Sequence, residues 1–511
     1  MALMGSILKG VVGIKKSIPE FKLPRSAKRV QKNQLLKNLR KARNTAFGKY
    51  YNFDDIYFSN NPVKTFQDTV PIFDYDKIHN EWWHRCLNNE ADVCWPGNVK
   101  YFALSSGTSG AASKHLPITN EYLRSFKRAS IRQILSLSKY ELPDEALNKG
   151  FLMIGGSSHL VHMGNYYEGD LSGITAAKIP SWFQSFYKPG KKIAKERDWS
   201  TKIEMIVESA PNWDISIVVG VPAWIQIIIE KIIAKYKLNS IHDIWPNFSV
   251  FVHGGVAFTP YKKGFEKLLG RPIHYIENYL ASEGFIAHDN RPEKKGMRML
   301  LRNGIFYEFV PFTEDNFDVD GSIKPNAKAI SIERVQEGKE YALILSTNAG
   351  AWRYLIGDTI KFVDKDECEI IITGRTKHYI SLVGEHLSVD NMNVAMAHVA
   401  ETLGVEIPEY CVAGVEHNSL FAHHWYVGVN GALPDTEKVK KLIDEKLNEV
   451  NDDYKVERQA ALKDVIVTAL PSNIFFDYLD AKGKSGGQNK FPRVLKGEAL
   501  KDWQSFVEKI K

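Results

Sequence analysis

Two alternating periods between residues 151 and 283 constrain the fold more than any other feature. Short runs rich in branched apolar residues, FLMIGG, ISIVVG and SVFVHGG, alternate with the longer segments VPAWIQIIIEKIIAKYK and YKKGFEKLLG. The short runs are typical of buried strands, and the longer segments have the three-to-four-residue apolar spacing of helices. Strands that alternate with helices pair in parallel through crossover connections. We therefore predict an α/β fold with a doubly wound, mainly parallel sheet.

Beyond Gly304 the strand-like runs follow one another closely, separated only by short polar turns. They read GIFYEFVPF, AISIERV, YALILST, DTIKFV and CEIIITG. This spacing predicts an antiparallel β-barrel or meander packed on the α/β core.

After Arg375 the pattern changes again. Helices are expected at Asn391 to Thr402 and Thr436 to Asn451, and strands at YCVAGV, WYVGV and DVIVTAL. We predict a large N-terminal domain of residues 1–375 and a small, mobile α+β domain of residues 376–511, joined by a short hinge.

Composition excludes several classes of protein. The chain has 511 residues, of which 44% are hydrophobic and 25% charged, as expected for a globular protein rather than a disordered one. Its net charge of +7, averaged over this length, is too dilute to predict nucleic-acid binding. The four cysteines, Cys86, Cys94, Cys368 and Cys411, have neither zinc-site nor disulfide spacing, so a reducing, cytoplasmic setting is predicted.

No segment near the start reads as a signal peptide or a membrane span. The apolar stretch from Ala2 to Ile14 is interrupted by Lys9, and no run approaches the ~20 apolar residues that a span needs. From Pro24 to Tyr51 a basic stretch places Leu35, Leu36, Leu39 and Ala42 at helical spacing. It predicts an amphipathic surface helix whose polar face meets solvent, a membrane surface or an anionic partner, and we assign it no function.

Ser105 to Lys114 form a loop suited to phosphate. The segment SSGTSGAASK combines five hydroxyls, two glycines and a lysine, which supply approachable N–H groups, side-chain donors and a cation. It is not a Walker loop, because Ser113 stands between Ala112 and Lys114. A segment of this composition is often a plain turn, so the phosphate prediction depends on the other loops.

Three further segments complete a nucleotide site. In HGGVAF the glycines would let a flat ring lie against the backbone, and Tyr279 in YLASEG would supply an aromatic face for adenine. Glu283 would hold a magnesium ion at the phosphates. Asp358, which ends WRYLIGD, would accept both ribose hydroxyls. Histidine pairs elsewhere lack a third ligand at motif spacing, so no zinc site is predicted.

The motifs SSGTSGAASK, YLASEG, WRYLIGD, TGR and GGQNKFPR together closely resemble the Gretchen Hagen three family of acyl acid amido synthetases, within the adenylate-forming superfamily. Further matching segments, from LLKNLRKARNTAFGK to GRTKHYISLVGEHL, extend the resemblance over nearly the whole chain. The resemblance implies that residues 1–375 form an adenylation domain. It also implies an enzyme that activates a carboxylic acid with ATP and Mg²⁺, releases pyrophosphate, and passes the acyl group to an amine such as an amino acid.

The resemblance also assigns residues to roles. Glu283 would bind magnesium, Arg375 would mark the hinge and reach the nucleotide, and Lys490 would be the mobile lysine that enters the site for catalysis. The residues implied to contact the phosphates, adenine and ribose are Ser105, Ser106, Gly107, Thr108, Ser109, Lys114, Gly254, Gly255, Tyr279 and Asp358.

This sequence departs from the plant family members at two places. Leu280 and Ala281 replace an Ala-Ser pair, and GEHL in the hinge is absent from the plant pattern. The implied adenylation chemistry is compatible with these changes, but the acid and the amine do not follow from the resemblance. Two alternatives stay open: an acid–CoA ligase that uses the same acyl adenylate, and a nucleotide-binding regulator without catalysis.

A pocket for the acid is harder to locate. Aromatic or soft side chains near the predicted strand ends could line it, but core packing is the expected role of each. These residues are Met163, Trp182, Phe183, Tyr187 and Trp224.

Overall fold

The computed structural model describes residues 26–105, 114–143, 145–179, 183–255, 258–318, 321–376, 380, 385, 387, 389–417, 420–451, 454–455, 458, 462–483 and 490–510. Its α-helices are α1 (Ala27–Ala42), α2 (Ala46–Tyr50), α3 (Phe53–Phe58), α4 (Pro62–Thr69), α5 (Tyr75–Ile78), α6 (His84–Leu87), α7 (Asn120–Ser136), α8 (Leu171–Ala176), α9 (Lys191–Ala194), α10 (Trp199–Ser209), α11 (Pro222–Tyr236), α12 (Thr259–Glu266), α13 (Val389–Leu403), α14 (Thr436–Val450), α15 (Asn473–Ala481) and α16 (Gly497–Glu508).

The strands fall into three sheets. They are β1 (Tyr101–Ser105), β2 (Lys114–Ile118), β3 (Gly150–Met153), β4 (Val161–His162), β5 (Tyr167–Gly169), β6 (Tyr187–Lys188), β7 (Ile215–Gly220), β8 (Val250–Gly254), β9 (His274–Ala281), β10 (Gly284–His288), β11 (Met297–Met299), β12 (Ile305–Pro311), β13 (Glu340–Thr347), β14 (Tyr354–Asp364), β15 (Glu369–Arg375), β16 (Glu406–His417), β17 (Leu420–Asn430), β18 (Leu462–Pro471) and β19 (Val494–Leu495).

The largest sheet has eleven strands in the order β12-β13-β14-β15-β11-β10-β9-β8-β7-β3-β6. Strands β6, β3, β7, β8 and β9 pair in parallel. From β9 to the opposite edge of the sheet, neighbouring strands pair antiparallel, in the order β9, β10, β11, β15, β14, β13 and β12. The predicted parallel layer and the antiparallel meander are thus confirmed. The meander continues the same sheet edge to edge, with β9 as the junction, rather than packing on it as a separate layer.

One strand prediction is wrong. Within AISIERV, Ile330 forms a single bridge to Phe309, and Ile332–Arg334 form a 3₁₀ turn. Ile332 and Val335 are both buried, and their separation of three residues suits a 3₁₀ turn. Alternation along a strand would have placed these two side chains on opposite faces.

Helix α11 shows how the parallel layer is covered. Ile225, Ile228, Ile229 and Ile232 are buried on its inner face, at the spacing of one helical stripe. Pro222 stands in its first turn, and Lys237 ends it in the left-handed conformation. Each buried isoleucine contributes roughly 1.5 to 3 kcal/mol by leaving water. A charge at Ile228 would therefore break the layer.

The N-terminal helices pack on the antiparallel half of the sheet. The predicted amphipathic helix is confirmed as α1, with Leu35, Leu39 and Ala42 fully buried. Its buried Gln31 donates to the Leu301 carbonyl at 2.9 Å and accepts from the Tyr307 N–H at 2.7 Å. These bonds satisfy a polar group that burial would otherwise destabilise.

The C-terminal part has its own sheet, β18-β17-β16-β19, and its own core. The helices and strands predicted there are confirmed as α13, α14, β16, β17 and β18. The four cysteines are free and buried. Among the helices of the described residues, none is both long and apolar enough to cross a bilayer.

Candidate active site

Asp358, Arg375 and Tyr279 form a polar cluster at the centre of the molecule. Asp358 on β14 lies opposite Arg375 on β15 in the strand register. The Arg375 Nε lies 2.9 Å from one Asp358 oxygen, and the Tyr279 hydroxyl donates to the other at 2.6 Å. Arg375 also donates to the Ile356 carbonyl at 3.1 Å. The carboxylate is therefore fixed in orientation from two sides.

The contact between Tyr279 and Asp358 requires the large sheet to curl. Their strands, β9 and β14, are separated by β10, β11 and β15. In a flat sheet four strand spacings would place them about 19 Å apart, which is beyond the reach of the two side chains. Register shifts in the β9–β10 and β14–β15 pairs mark places where the sheet can bend. Curling thus brings the parallel and antiparallel halves together at one site.

Glu283 lies in the two-residue turn between β9 and β10, where the Tyr122 hydroxyl donates to the neighbouring Ser282 carbonyl at 3.0 Å. Burial, reinforced by the negative charge of Asp358, raises the pKa of Glu283 to about 7, while Arg375 and Lys114 oppose the shift. No cation of the described residues forms an ion pair with it. A buried carboxylate that lacks an ion-pair partner suits a divalent cation.

The residues present fit one Mg²⁺ ion held mainly by phosphate oxygens. Mg²⁺ in nucleotide sites commonly takes one or two protein carboxylates, and Glu283 supplies one. Asp358 is already engaged by Arg375 and Tyr279. Over the described part of the chain, no group of three acidic, histidine or cysteine residues could hold a metal ion by itself.

The predicted phosphate loop joins β1 and β2, which pair antiparallel and bring its ends Ser105 and Lys114 opposite each other. The Lys114 Nζ lies 5.2 Å from the centre of the Tyr75 ring, and the next N–H, of His115, donates to the Tyr75 hydroxyl at 2.8 Å. The predicted contacts Ser106, Gly107, Thr108 and Ser109 lie outside the described residues.

Gly254 ends β8, and Gly255 follows it in the chain. A Cβ on Gly254 would lie 2.1 Å from the Asn278 side-chain oxygen, so only glycine leaves room for Asn278. Gly255 has φ +85°, which favours glycine, and its carbonyl accepts a hydrogen bond from the Lys490 ammonium. Gly254 thus allows close packing against Asn278, and Gly255 allows the backbone to bend.

Lys490 reaches the site from the C-terminal part of the chain. The residue as a whole is exposed, yet protein groups crowd its ammonium. Desolvation and the positive charge of Arg375 lower the pKa of Lys490 to about 8, and Asp358 opposes the shift. The ammonium thus donates to the Gly255 carbonyl and interacts electrostatically with Arg375 and Asp358.

A second set of contacts holds the C-terminal part in this position. The Tyr261 hydroxyl on α12 donates to one Glu409 oxygen at 2.5 Å, and Arg493 donates to the other at 2.7 Å. Lys267 pairs with Glu406 nearby. Arg493 follows Lys490 by three residues, so the same contact fixes the segment that carries the lysine.

The structure therefore brings together five predicted residues: Tyr279, Glu283, Asp358, Arg375 and Lys490. Sequence reasoning gave no role to Asn278, Tyr75, Tyr261, Glu409 or Arg493. Of these, Arg493 stood inside the quoted motif GGQNKFPR, but the letters of the motif alone indicated no contact.

Among the possible pocket residues, Phe183, Tyr187 and Trp224 are core residues, as expected, whereas Met163 is 47% exposed. Trp182 lies outside the described residues.

Three family models match the chain: the GH3 family N-terminal domain over residues 21–210, the central domain over 298–368 and the C-terminal domain over 390–499. Together they cover more than half of it. The chain belongs to the GH3 family. This is the family named by the resemblance of the motifs, and it is a family of acyl acid amido synthetases with the fold of adenylate-forming ligases.

Two relatives of the chain carry the GH3 name. An Arabidopsis thaliana indole-3-acetic acid-amido synthetase is 21% identical over 66% of this chain and 72% of its own length. A human GH3 domain-containing protein is 25% identical over 42% of this chain and 41% of its own.

Two solved structures share the fold of this GH3 chain. An acyl acid amido synthetase in complex with 2,4-DB has a TM-score of 0.77 at 15% identity, over 98% of this chain and 96% of its own. A 2-hydroxyisobutyryl-CoA ligase in complex with 2-HIB-AMP has a TM-score of 0.62 at 12% identity, over 96% of this chain and 93% of its own.

Proposed function

We propose that this GH3 protein is an ATP-dependent acyl acid amido synthetase. It would activate a carboxylic acid as its acyl adenylate and transfer the acyl group to an amine, with an amino acid as the expected acceptor. The observation that carries the proposal is the convergence of Lys490 with the oriented Asp358 carboxylate. A lysine beside an oriented carboxylate suits a reaction on a nucleotide held through its ribose.

The N-terminal domain, residues 1–375, would bind the nucleotide. Asp358, oriented by Arg375 and Tyr279, would accept the ribose hydroxyls. The hairpin that ends at Ser105 and Lys114 would place the phosphates, with Ser106, Gly107, Thr108 and Ser109 as donors.

Adenine would lie beside Gly254 and Gly255. The Tyr279 ring is 4% exposed and its hydroxyl is used by Asp358, so any stacking on adenine would involve only the exposed edge.

Mg²⁺, held by Glu283, would supply charge neutralisation on the triphosphate when bound. Glu283 must be ionised to do this, and its raised pKa is a consequence of burial that a bound cation would reverse.

In the first half-reaction an oxygen of the substrate carboxylate attacks the α-phosphorus. The bond from that phosphorus to the bridging oxygen breaks, and pyrophosphate leaves with the electron pair. Negative charge grows on the phosphate oxygens, and the Lys490 ammonium stabilises it without any change in its own protonation. Lys490 is most effective below its pKa of about 8, where it is charged.

In the second half-reaction the amine nitrogen attacks the acyl carbon, the carbon–oxygen bond to AMP breaks, and the nitrogen loses a proton. We propose that residues 376–511 move as a mobile domain about a hinge near Arg375 after pyrophosphate leaves and before the amine attacks. This movement would break the Tyr261–Glu409 and Lys267–Glu406 contacts and withdraw Lys490, so that the amine can enter.

A CoA-ligase activity is the second candidate, favoured by the fold shared with a 2-hydroxyisobutyryl-CoA ligase. Pyrophosphate release with ATP, Mg²⁺ and a panel of aromatic, aliphatic and fatty acids tests the first half-reaction, with K490A as the control. AMP release that depends on amino acids supports amide synthesis, and dependence on coenzyme A supports the alternative. ATP binding with no acid-dependent pyrophosphate would instead indicate a regulator.

A further inference from the structure

The positive charge of the chain is concentrated at one end. The first 50 residues hold thirteen lysines and arginines and one acidic residue, a net charge of +12. Because the whole chain carries +7, the remaining 461 residues carry −5. The average charge density therefore conceals a strongly basic segment, and the described part of that segment is mainly α1.

Helix α1 has six lysines and arginines and no acidic residue. Lys28 and Lys32, and Lys37 and Lys41, stand four positions apart and repel each other across a turn. Cations in the first turn also oppose the helix dipole. By contrast, α14 alternates charges, and its Lys441 lies 3.7 Å from Glu445.

Only part of this charge is neutralised by the protein itself. Lys28 lies 3.3 Å from Glu333, and Lys41 lies 4.0 Å from Glu121. The other four cations of α1 form no ion pair with any described residue. A helix that departs from charge balance without an internal compensation indicates an anionic partner outside the protein. The unpaired cations are Arg29, Lys32, Lys37 and Arg40.

A basic cleft of about 1150 Å³ extends the charge of α1. It lies between α1, α4 and residues 323–334, and eight lysines and arginines line it against three acidic residues. Lys28 and Lys32 belong both to the helix and to the cleft. Within the described residues Lys328 and Arg334, also in the cleft, form no ion pair. Helix and cleft thus make one continuous positive surface, which we call the basic face.

Exposed aromatic rings lie on two helices that contact α1. Tyr50 is 70% and Phe58 is 74% exposed, the highest values among the large apolar side chains described. Helix α3, which Phe58 ends, packs against α1, and Asn61, three residues later, lines the cleft. Aromatic rings beside lysines and arginines are typical of surfaces that lie in the interface of a bilayer.

The sequence before α1 has the same character. Residues 1–16, MALMGSILKGVVGIKK, combine apolar residues with three lysines and contain no acidic residue. A nucleic acid would use the cations but would have no need of the apolar residues, whereas an anionic bilayer would use both.

We propose that the basic face binds the anionic surface of a lipid bilayer. Phosphate headgroups would occupy the cleft near Lys32, Lys328 and Arg334, and Tyr50 and Phe58 would enter the interfacial layer. The binding would be peripheral and reversible, and it would weaken with salt because exposed charges are screened. It does not depend on the proposed reaction.

Flotation of the full-length protein with vesicles tests the proposal. We expect binding to phosphatidylcholine vesicles that contain about a third phosphatidylserine, little binding to phosphatidylcholine alone, and loss of binding at high salt. The triple variant K32Q/K37Q/R40Q keeps helix-forming side chains and should bind on the order of a hundredfold more weakly. The matched control K438Q/K441Q/K501Q, in the C-terminal part, should bind like the parent.

A second variant separates a bilayer from a nucleic acid. F58S should weaken vesicle binding several-fold but leave the anisotropy of a labelled DNA or RNA oligonucleotide unchanged. Equal binding to neutral and anionic vesicles, or an unaltered affinity in K32Q/K37Q/R40Q, would overturn the proposal. So would tight oligonucleotide binding without vesicle binding. Circular dichroism spectra and thermal unfolding midpoints close to those of the parent confirm that both variants fold.

Discussion

The two sides of the candidate site are held in different ways. On the N-terminal side, Asp358 receives both Arg375 and Tyr279, and β14 and β15 pair directly at this point. On the C-terminal side, Lys490 makes one described hydrogen bond, to a backbone carbonyl, and follows a segment outside the described residues. This difference indicates that the Asp358 carboxylate, the proposed ribose contact, is fixed by the sheet, whereas the lysine is brought to it by a separate part of the chain.

The substitution K490A should have the greatest effect on activity, because it removes the lysine that the C-terminal part brings to the site. We expect the rate of acyl adenylation to fall about a hundredfold to a thousandfold, because roughly 3 to 4 kcal/mol of transition-state stabilisation is lost. ATP affinity should change much less, since the N-terminal side stays intact. Single-turnover pyrophosphate release and equilibrium ATP binding measure the two effects, with K501A as a surface control. An equal loss of binding and rate would contradict the division of roles.

The substitution D358N instead changes the N-terminal side of the site, where Asp358 lies on β14. It removes the charge that Arg375 and the ribose hydroxyls would share, at roughly 1.5 to 3 kcal/mol for charge-assisted hydrogen bonds. We expect the dissociation constant for ATP to rise about tenfold to a hundredfold. Calorimetric titration with ATP measures it, and D318N, at an exposed carboxylate, should bind ATP normally. If D358N slows adenylation at saturating ATP but binds ATP normally, the ribose role is wrong.

The pH dependence of the activity also tests this difference, because one titrating group lies on each side of the site. Glu283, with a pKa of about 7, must lose its proton, and Lys490, with a pKa of about 8, must keep its own. The value of kcat/KM for ATP should therefore rise through pH 7 and fall beyond pH 8, by about tenfold per unit on each limb.

Two variants assign these limbs. E283Q should lose the acid limb at a lower overall rate, and K490R should move the alkaline limb upward, because arginine keeps its charge. An acid limb that persists in E283Q would mean that another group controls it.

The smallest expected effect comes from the contact that docks the C-terminal part. Y261F removes one hydrogen bond to Glu409, which Arg493 still neutralises. We expect adenylation to slow about fivefold, corresponding to ~1 kcal/mol. Amine transfer from preformed acyl adenylate should not slow. Y236F, which removes a hydroxyl bonded to the Val207 carbonyl, is the matched control. Slower amine transfer in Y261F would show that the contact serves both half-reactions.

The sequence predicted those helices and strands in which the apolar residues keep a regular spacing. Helix α11 and strands β7 and β8 appeared within one or two residues of their bounds, because branched runs and helical stripes were uninterrupted. The strands β9 to β11 were not predicted, since polar and charged residues interrupt them, including Glu277, Asn278 and Arg298. The strand prediction for AISIERV was wrong because apolar and polar residues alternate there over only a few residues.

The site followed the same rule. Residue types with a distinct chemistry, Glu283, Asp358 and Lys490, could be selected from motifs. The contacts could not be predicted, because they join residues far apart in the chain: Tyr279 and Asp358 are 79 positions apart, and the docking pair Tyr261 and Glu409 is 148 positions apart. Nothing local in Tyr261 or Glu409 indicates that the fold brings them together. The curl that joins β9 to β14 is likewise a property of the whole sheet.

That curl has a consequence for the protein's response to its ligand. A nucleotide seated against both Tyr279 and Asp358 would touch the first and second halves of the large sheet at once and would hold the two halves together. Loosening of either half of the sheet would release the nucleotide, so the affinity for ATP and the free energy of unfolding would change together. Mutations far from the site that flatten the sheet would then weaken ATP binding without touching a single binding residue.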